Sequence, residues 1–169
     1  MRNRLILVLT LTGLALLASF SFVQATPGAG VTSTLFAVGR FDGIDATTLT
    51  DTDPSGATDF WQARIKVKGS TDVHVLENRI VPGGTFGWHS HPGPSLVVIK
   101  SGTLTLYFGN DPTCTPHVYG PGSGFVDNGG DVHVVRNEGS VETVVYVTSI
   151  VPEGFTRRID EPAPAACGF

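Results

Sequence analysis

Short segments in which apolar and polar residues alternate dominate the chain after residue 25. Each segment is rich in β-branched, leucine or aromatic residues and is bounded by Gly, Pro, Asn or Asp, a pattern typical of β-strands joined by tight turns. The strands that it predicts are Thr32–Phe41, Phe60–Val67, Asp72–Val81, Leu96–Lys100, Thr103–Phe108, His117–Tyr119, Val132–Arg136 and Glu142–Val151. Residues 42–59 are mostly polar with a turn signal at Asp53-Pro54, and they predict a loop. Strands this numerous, without an amphipathic helix, indicate an all-β sandwich or barrel.

The first 25 residues follow another pattern, that of a secretory signal peptide. Arg2 and Arg4 precede the apolar run Leu5–Ala18, and Ala25 is a small residue of the kind that a signal peptidase requires. The apolar run is short for a membrane-spanning helix, although an uncleaved anchor is an open alternative. We therefore predict a mature protein that begins at Thr26 and is secreted or periplasmic.

Charge narrows the choice of partners. The full chain carries −4, from 11 basic and 15 acidic residues, and loss of Arg2 and Arg4 with the signal peptide leaves −6. An acidic domain without a basic cluster argues against nucleic acid or an anionic membrane surface as partner. The remaining length suits one domain with a single core.

Two histidines and a third about forty residues later are the strongest chemical signal. His89 and His91 are two residues apart, so on an extended strand both imidazoles leave the same face. His133 follows a Gly-rich turn and begins another apolar segment. Imidazole nitrogens that share a face can bind one metal ion at about 2.0–2.1 Å.

The spacing of these residues resembles the two motifs of the cupin superfamily. The first motif, G-x5-H-x-H-x3/4-E-x6-G, matches Gly83-x5-His89-x-His91-x3-Ser95-x6-Gly102. The second, G-x5-P-x-G-x2-H-x3-N, matches Gly122-x5-Asn128-x-Gly130-x2-His133-x3-Asn137. Asn128 replaces a proline, which is acceptable in a turn because both residues favour turns. Ser95 replaces a glutamate that is usually a metal ligand in the family.

The resemblance covers about residues 73–151 and implies a double-stranded β-helix, or jelly-roll barrel, with its pocket inside. Together with the signal-peptide pattern, it divides the chain into a signal peptide (1–25), an N-terminal strand and polar loop (26–59), the barrel (60–152) and a C-terminal tail (153–169). It also implies that His89, His91 and His133 bind one divalent transition metal ion. Imidazole ligands suit such ions better than Mg²⁺ or Ca²⁺, but they do not distinguish Fe, Zn, Cu, Ni and Mn.

Other ionisable residues leave alternatives open. Glu77, on the strand that leads into the first motif, is a candidate for the missing carboxylate ligand, and some other group is the alternative. His74 and His117 are better explained as packed or exposed residues. Asp127 and Asp131 are typical turn residues, and they need no further role.

Cys114 and Cys167 are the two cysteines of the chain. In an oxidising compartment an even pair predicts a disulfide, with two free thiols as the alternative. The bond would fix the Pro/Ala-rich C-terminal tail to the barrel.

The sequence is consistent with two functions. The first is an exported metal-binding cupin that acts as an oxygenase or isomerase on a small organic molecule. The alternative is a non-catalytic cupin that binds a metal or a small ligand. Catalytic residues other than the metal ligands are not identified, the partner is a small molecule in both cases, and a homodimer is left open.

Overall fold

The computed structural model describes residues 25–50 and 61–169. Nearly all of the predicted signal peptide and the polar stretch 51–60 lie outside these residues. The described residues form strands and turns without a helix, and none of them belongs to a helix that is long and apolar enough to cross a membrane. The strands are β1 (Ala29–Phe41), β2 (Ile44–Thr50), β3 (Trp61–Val67), β4 (Thr71–Thr85), β5 (His89–Ser90), β6 (Ser95–Ser101), β7 (Leu104–Phe108), β8 (His117–Tyr119), β9 (Gly124–Asp127), β10 (His133–Arg136), β11 (Thr143–Pro152) and β12 (Ile159–Asp160).

The large sheet has 10 strands and folds into two facing layers. One layer has the order β1-β4-β11-β6-β9, and the other has the order β8-β7-β10-β5-β12, with antiparallel pairing throughout. Arg136 on β10 pairs with Thr85 at the end of β4, which joins the two layers. This nearly closed antiparallel barrel confirms the predicted jelly-roll, or double-stranded β-helix, fold.

The core lies between the layers because inward positions alternate with outward ones. On β6, for example, Ser95, Val97 and Ile99 are buried, whereas Leu96 and Val98 are about half exposed on the outer face. Full burial of an aliphatic side chain stabilises the fold by about 1.5–3 kcal/mol. The main apolar cluster consists of Leu76, Ile80, Val97, Ile99, Leu104, Leu106, Val135, Val145 and Val147.

The structure corrects one of the predicted elements. The prediction of a loop over residues 42–59 is wrong for Ile44–Thr50, because these residues form β2 and pair along their whole length with β3. Pairing with β3 gives the polar, threonine-rich segment the backbone hydrogen-bond partners that a strand requires, and threonine is itself a good strand former. The short strands β5, β9 and β12 are also absent from the predicted set.

Candidate metal centre

Two short strands bring the three predicted histidines together. His89 on β5 and His133 on β10 are direct partners across the antiparallel pair. His91 follows β5 by one residue and reaches the same place. The ring centroid of His89 lies 4.8 Å from that of His91 and 4.4 Å from that of His133. One ring nitrogen of each histidine lies within 4.8 Å of the corresponding nitrogens of the other two. This grouping is one that can hold a metal ion.

Hydrogen bonds to backbone carbonyls determine which nitrogen of each histidine ring carries the proton. The Nδ1 atom of His89 donates to the carbonyl of Gly87 at 2.8 Å, and that of His133 donates to the carbonyl of Asp131 at 2.9 Å. His91 Nδ1 donates in the same way to the carbonyl of Arg157. Because a carbonyl oxygen can only accept, each neutral ring carries its proton on Nδ1 and leaves the lone pair of Nε2 free. Metal-binding histidines are commonly oriented in this way.

Asp127, at the end of β9, brings a carboxylate to the same point. Its Oδ2 atom lies 3.2 Å from Nε2 of His91 and 3.6 Å from Nε2 of His133. This oxygen is buried and has no hydrogen-bond partner among the described residues. Oδ1 accepts a hydrogen bond from the backbone nitrogen of Gly129 at 3.1 Å, so the turn role expected from the sequence is present as well. The position of the second oxygen beside the histidines was not predicted from the sequence.

Burial keeps His89 and His91 neutral. It lowers the pKa of His89 to about 2, with a further contribution from the neighbouring His133 ring. Burial is also the main reason why the pKa of His91 is lowered, although Asp127 opposes that shift. A neutral ring is the form that binds a metal ion, so these two rings need not lose a proton first near neutral pH.

The histidines open onto a cavity of about 320 Å³ inside the barrel. This volume is at the lower end of the range of small-molecule pockets, about 300–1,000 Å³. Arg157 and Arg158, which follow β11, contribute to its wall. The other residues that line it include the apolar side chains Val31, Phe86, Val97, Leu104, Phe125, Val135, Val145 and Val147 and the polar side chains Ser33, Asn78, Ser95 and Ser149.

Comparison with known families agrees with this geometry. The family model described as a cupin domain matches residues 77–150, the stretch that contains all three histidines and Asp127. The chain belongs to the cupin superfamily. None of the curated proteins matches it.

Several solved structures resemble about half of this chain. A cupin domain from Bordetella pertussis Tohama I is 30% identical, with 46% of this chain and 80% of that chain covered and a TM-score of 0.41. A protein with a double-stranded β-helix domain from Klebsiella pneumoniae is 21% identical over 53% of this chain and 75% of that one, with a TM-score of 0.44. An oxalate oxidase is 26% identical over 48% of this chain and 46% of its own, with a TM-score of 0.41.

Three other residues considered from the sequence, Ser95, Glu77 and Asn137, have hydrogen-bond or ion-pair partners outside the histidine cluster. Ser95 is buried, and its hydroxyl hydrogen-bonds to that of Ser149 at 2.8 Å. Glu77 points to the outer face of the sheet, where it pairs with Arg79 at 2.8 Å and lies 3.9 Å from Lys100. Glu77 is therefore not the replacement carboxylate. Asn137 is fully buried and holds the turn after β10 through the carbonyls of Ile80 and Val141.

The remaining histidines lie outside the cluster. His74 on β4 is half-buried and its Nδ1 atom has no hydrogen-bond partner among the described residues, but it does not line the cavity. His117 on β8 is exposed, and its ring contacts the edge of Phe108.

The predicted disulfide is confirmed. Cys114 and Cys167 are bonded, with Cα atoms 5.5 Å apart, across a sequence separation of 53. Cys167 is buried against Trp88, Tyr107 and Val134, so the tail forms a second small core next to the barrel.

Proposed function

We propose that this cupin is a metal-dependent enzyme of oxygenase or isomerase type that acts on a small organic anion. The observation that carries the proposal is the convergence of lone pairs at the wall of the cavity. The free Nε2 atoms of His91 and His133 face an acceptor oxygen of Asp127, and no donor among the described residues lies between them. Acceptors that face one another at such distances repel unless a cation or a proton lies between them.

The residues present suit a transition metal ion. Three neutral imidazoles favour Fe, Zn, Cu, Ni or Mn over Ca²⁺ and Mg²⁺. A site built from a few protein ligands beside a cavity leaves positions for water or substrate, as catalytic sites do. The bound ion would supply Lewis acidity and, if it is redox-active, electron transfer.

The two arginines support an anionic substrate. Arg157 has no ion-pair partner among the described residues, and burial lowers its pKa. Arg158 pairs with Asp160 through Nε at 2.5 Å, but one of its terminal nitrogens is buried without a hydrogen-bond partner among those residues. Both guanidinium groups are close enough to lower the pKa values of neighbouring histidines. A guanidinium whose donors are free is well suited to bind a carboxylate.

The chain's own residues would then have separate tasks. Apolar side chains such as Val97 and Leu104 would exclude water from the cavity, and Arg157 would orient the anionic end of the substrate. The buried histidines, with their Nδ1 protons fixed by backbone carbonyls, would hold the ion in one place through Nε2.

The test is to remove metal from the mature protein, reload it with each of the five ions, and offer small mono- and dicarboxylates together with their neutral amides. We expect one ion per chain, consumption of a carboxylate but not of its amide, and weaker substrate binding in Arg157→Ala than in Arg64→Ala, a matched change on the exposed strand β3. Product is followed by NMR and oxygen uptake by an electrode. Binding of a carboxylate without turnover under any ion supports the non-catalytic alternative instead.

Export and a homodimer remain predictions from the sequence. Nearly all of the predicted signal peptide lies outside the described residues, and the disulfide agrees with an oxidising compartment.

A further inference from the structure

We propose that Asp127 is the fourth protein ligand of the metal, in place of the glutamate that the first cupin motif would have at position 95. This inference rests on the metal site of the proposed function and adds a ligand to it.

Strand register places the carboxylate next to the position that lacks one. Ser95 on β6 and Asp127 on β9 are direct partners in the antiparallel pair. Side chains of such partners leave the same face of the sheet, with Cβ atoms about 4.5–5.5 Å apart. Both residues are buried and both line the cavity. A carboxylate lost from β6 is thus present on the neighbouring strand, on the same face.

The distances from Asp127 to two of the three histidines, His91 and His133, suit ligands of one ion. With bonds of about 2.1 Å, two adjacent ligand atoms lie about 3.0 Å apart in an octahedral site and about 3.4 Å apart in a tetrahedral one. Asp127 Oδ2 lies 3.2 Å from Nε2 of His91 and 3.6 Å from Nε2 of His133. Both values are close to what a shared ion requires.

The turn after β9 holds the carboxylate in this orientation. Oδ1 is occupied by the backbone nitrogen of Gly129, which leaves Oδ2 free to face the histidines. The backbone nitrogen of Gly130 donates to the carbonyl of His91 at 2.8 Å, so the turn is tied directly to a second ligand. Gly129 has φ +78° and packs against Gly93, where a Cβ atom would lie 2.7 Å from the Gly93 carbonyl carbon. The turn therefore has little freedom to move the carboxylate away.

Ser95 itself does not compete for the ion. Its hydroxyl is engaged with Ser149, its partner on β11, and a neutral hydroxyl is a weak ligand. The carboxylate lowers the net charge of a divalent site by one unit, which a serine would not do.

The experiment compares three variants of the mature protein. Asp127→Asn removes the charge but keeps an oxygen for Gly129. Asp45→Asn is the matched control, because Asp45 is an exposed carboxylate on β2 that does not line the cavity. Asp127→Asn combined with Ser95→Glu returns the carboxylate to β6. For each protein, Zn²⁺ affinity is measured by competition with a chromophoric chelator, the Co²⁺ form is examined by visible absorption, and folding is checked by thermal unfolding.

We expect Asp127→Asn to bind Zn²⁺ at least about tenfold more weakly than the wild type and to change the Co²⁺ spectrum, because loss of a ligand or of a residue that orients a ligand has effects of this size. Asp45→Asn should bind like the wild type, and the double variant should recover most of the affinity. Wild-type affinity and spectrum in folded Asp127→Asn would overturn the proposal while leaving the three-histidine site intact. No recovery in the double variant would contradict the inference that Asp127 replaces the glutamate that the first cupin motif would have at position 95. A wild-type protein that binds no Zn²⁺ or Co²⁺ would refute the metal site of the proposed function itself.

Discussion

His89 and His133 lie directly opposite each other on the antiparallel strands β5 and β10, with ring centroids 4.4 Å apart. One strand pair therefore sets the distance between two candidate ligands. The third, His91, lies just beyond the end of β5, and its ring centroid is 4.8 Å from that of His89. Each ring is also oriented by a backbone carbonyl, so the fold itself helps to set the arrangement.

The first prediction concerns the contribution of these rings to metal binding. His91→Ala should lose most of the bound metal, because it removes one of three convergent nitrogens and leaves Asp127 without one of its neighbours. His117→Ala should keep full occupancy, because His117 is exposed on β8. Metal per chain is measured by mass spectrometry after dialysis against a limiting amount of each ion. Full occupancy in His91→Ala would mean that the histidines are packing residues.

The sequence predicts the three histidines because their positions depend on local spacing and on motifs that lie within one strand or turn. Asp127 could not be assigned in the same way. Its role depends on the pairing of β6 with β9, and Gly124–Asp127 is too short and too rich in turn signals to be predicted as a strand. Arg157 and Arg158 come from the tail, whose path over the cavity depends on long-range contacts and the disulfide.

Glu77 shows where local reasoning was ambiguous. On β4 the residues Leu76 and Ile80 face the core, so strand alternation places Glu77 on the outside. The sequence did not reveal this, because Val73, Val75 and Val81 give the opposite face an equally apolar pattern. The structure decides the orientation through the pairing of Glu77 with Tyr146 on β11 and with Arg79.

The second prediction is that the metal-free protein loses stability as the pH falls below about 6.5. The pKa of His89 is lowered by burial to about 2, so between these values the unfolded chain binds a proton that the folded protein does not. The free energy of unfolding therefore decreases as the pH is lowered, by up to about 1.4 kcal/mol per pH unit well below pH 6.5. Urea unfolding in EDTA at several pH values between about 7.5 and 5 measures the slope.

His89→Asn is the control for this slope, because it removes the titrating ring. We expect a smaller loss of stability over the same pH range in this variant. The lowered pKa values of Asp72 and Asp111 affect stability only at more acidic pH, below the ordinary range of a carboxylate. Equal slopes in wild type and His89→Asn would show that His89 gains its proton as easily in the folded state as in the unfolded one.

The third prediction assigns a structural role to Asn137, the last residue of the second cupin motif. Its amide nitrogen donates to the carbonyls of Ile80 and Val141 at 2.8 and 2.7 Å, and its Oδ1 accepts from the nitrogen of Gly139 at 3.0 Å. Asn137→Ala leaves these buried groups without partners and should destabilise the fold by about 2–4 kcal/mol, since each unsatisfied group costs about 1–3 kcal/mol. Urea unfolding measures the loss. Metal per folded chain should not change, and a parallel loss of metal in folded protein would contradict a purely structural role.

The last prediction concerns the disulfide and the second core beneath the C-terminal tail. Phe169 stacks against Trp88 with ring centroids 6.2 Å apart, and its carbonyl accepts a hydrogen bond from the indole nitrogen of Trp88 at 2.9 Å. Cys167, two residues earlier, is buried in the same cluster and is held by its bond to Cys114. Release of this bond should therefore free the tail and expose Trp88, which is only 1% accessible in the folded protein.

The change to make is Cys114→Ser with Cys167→Ser, in a Trp61→Phe background that leaves Trp88 as the only tryptophan. For a separation of 53 residues the chain-entropy estimate of the lost stabilisation is about 4 kcal/mol, which is an upper value if the freed tail keeps some of its contacts. We expect a lower urea midpoint and a red-shifted tryptophan emission before global unfolding, because water reaches an indole that the tail now covers. The Trp61→Phe protein with its cysteines intact is the control. An unchanged midpoint together with unchanged emission would mean that packing alone holds the tail, with no contribution from the covalent bond.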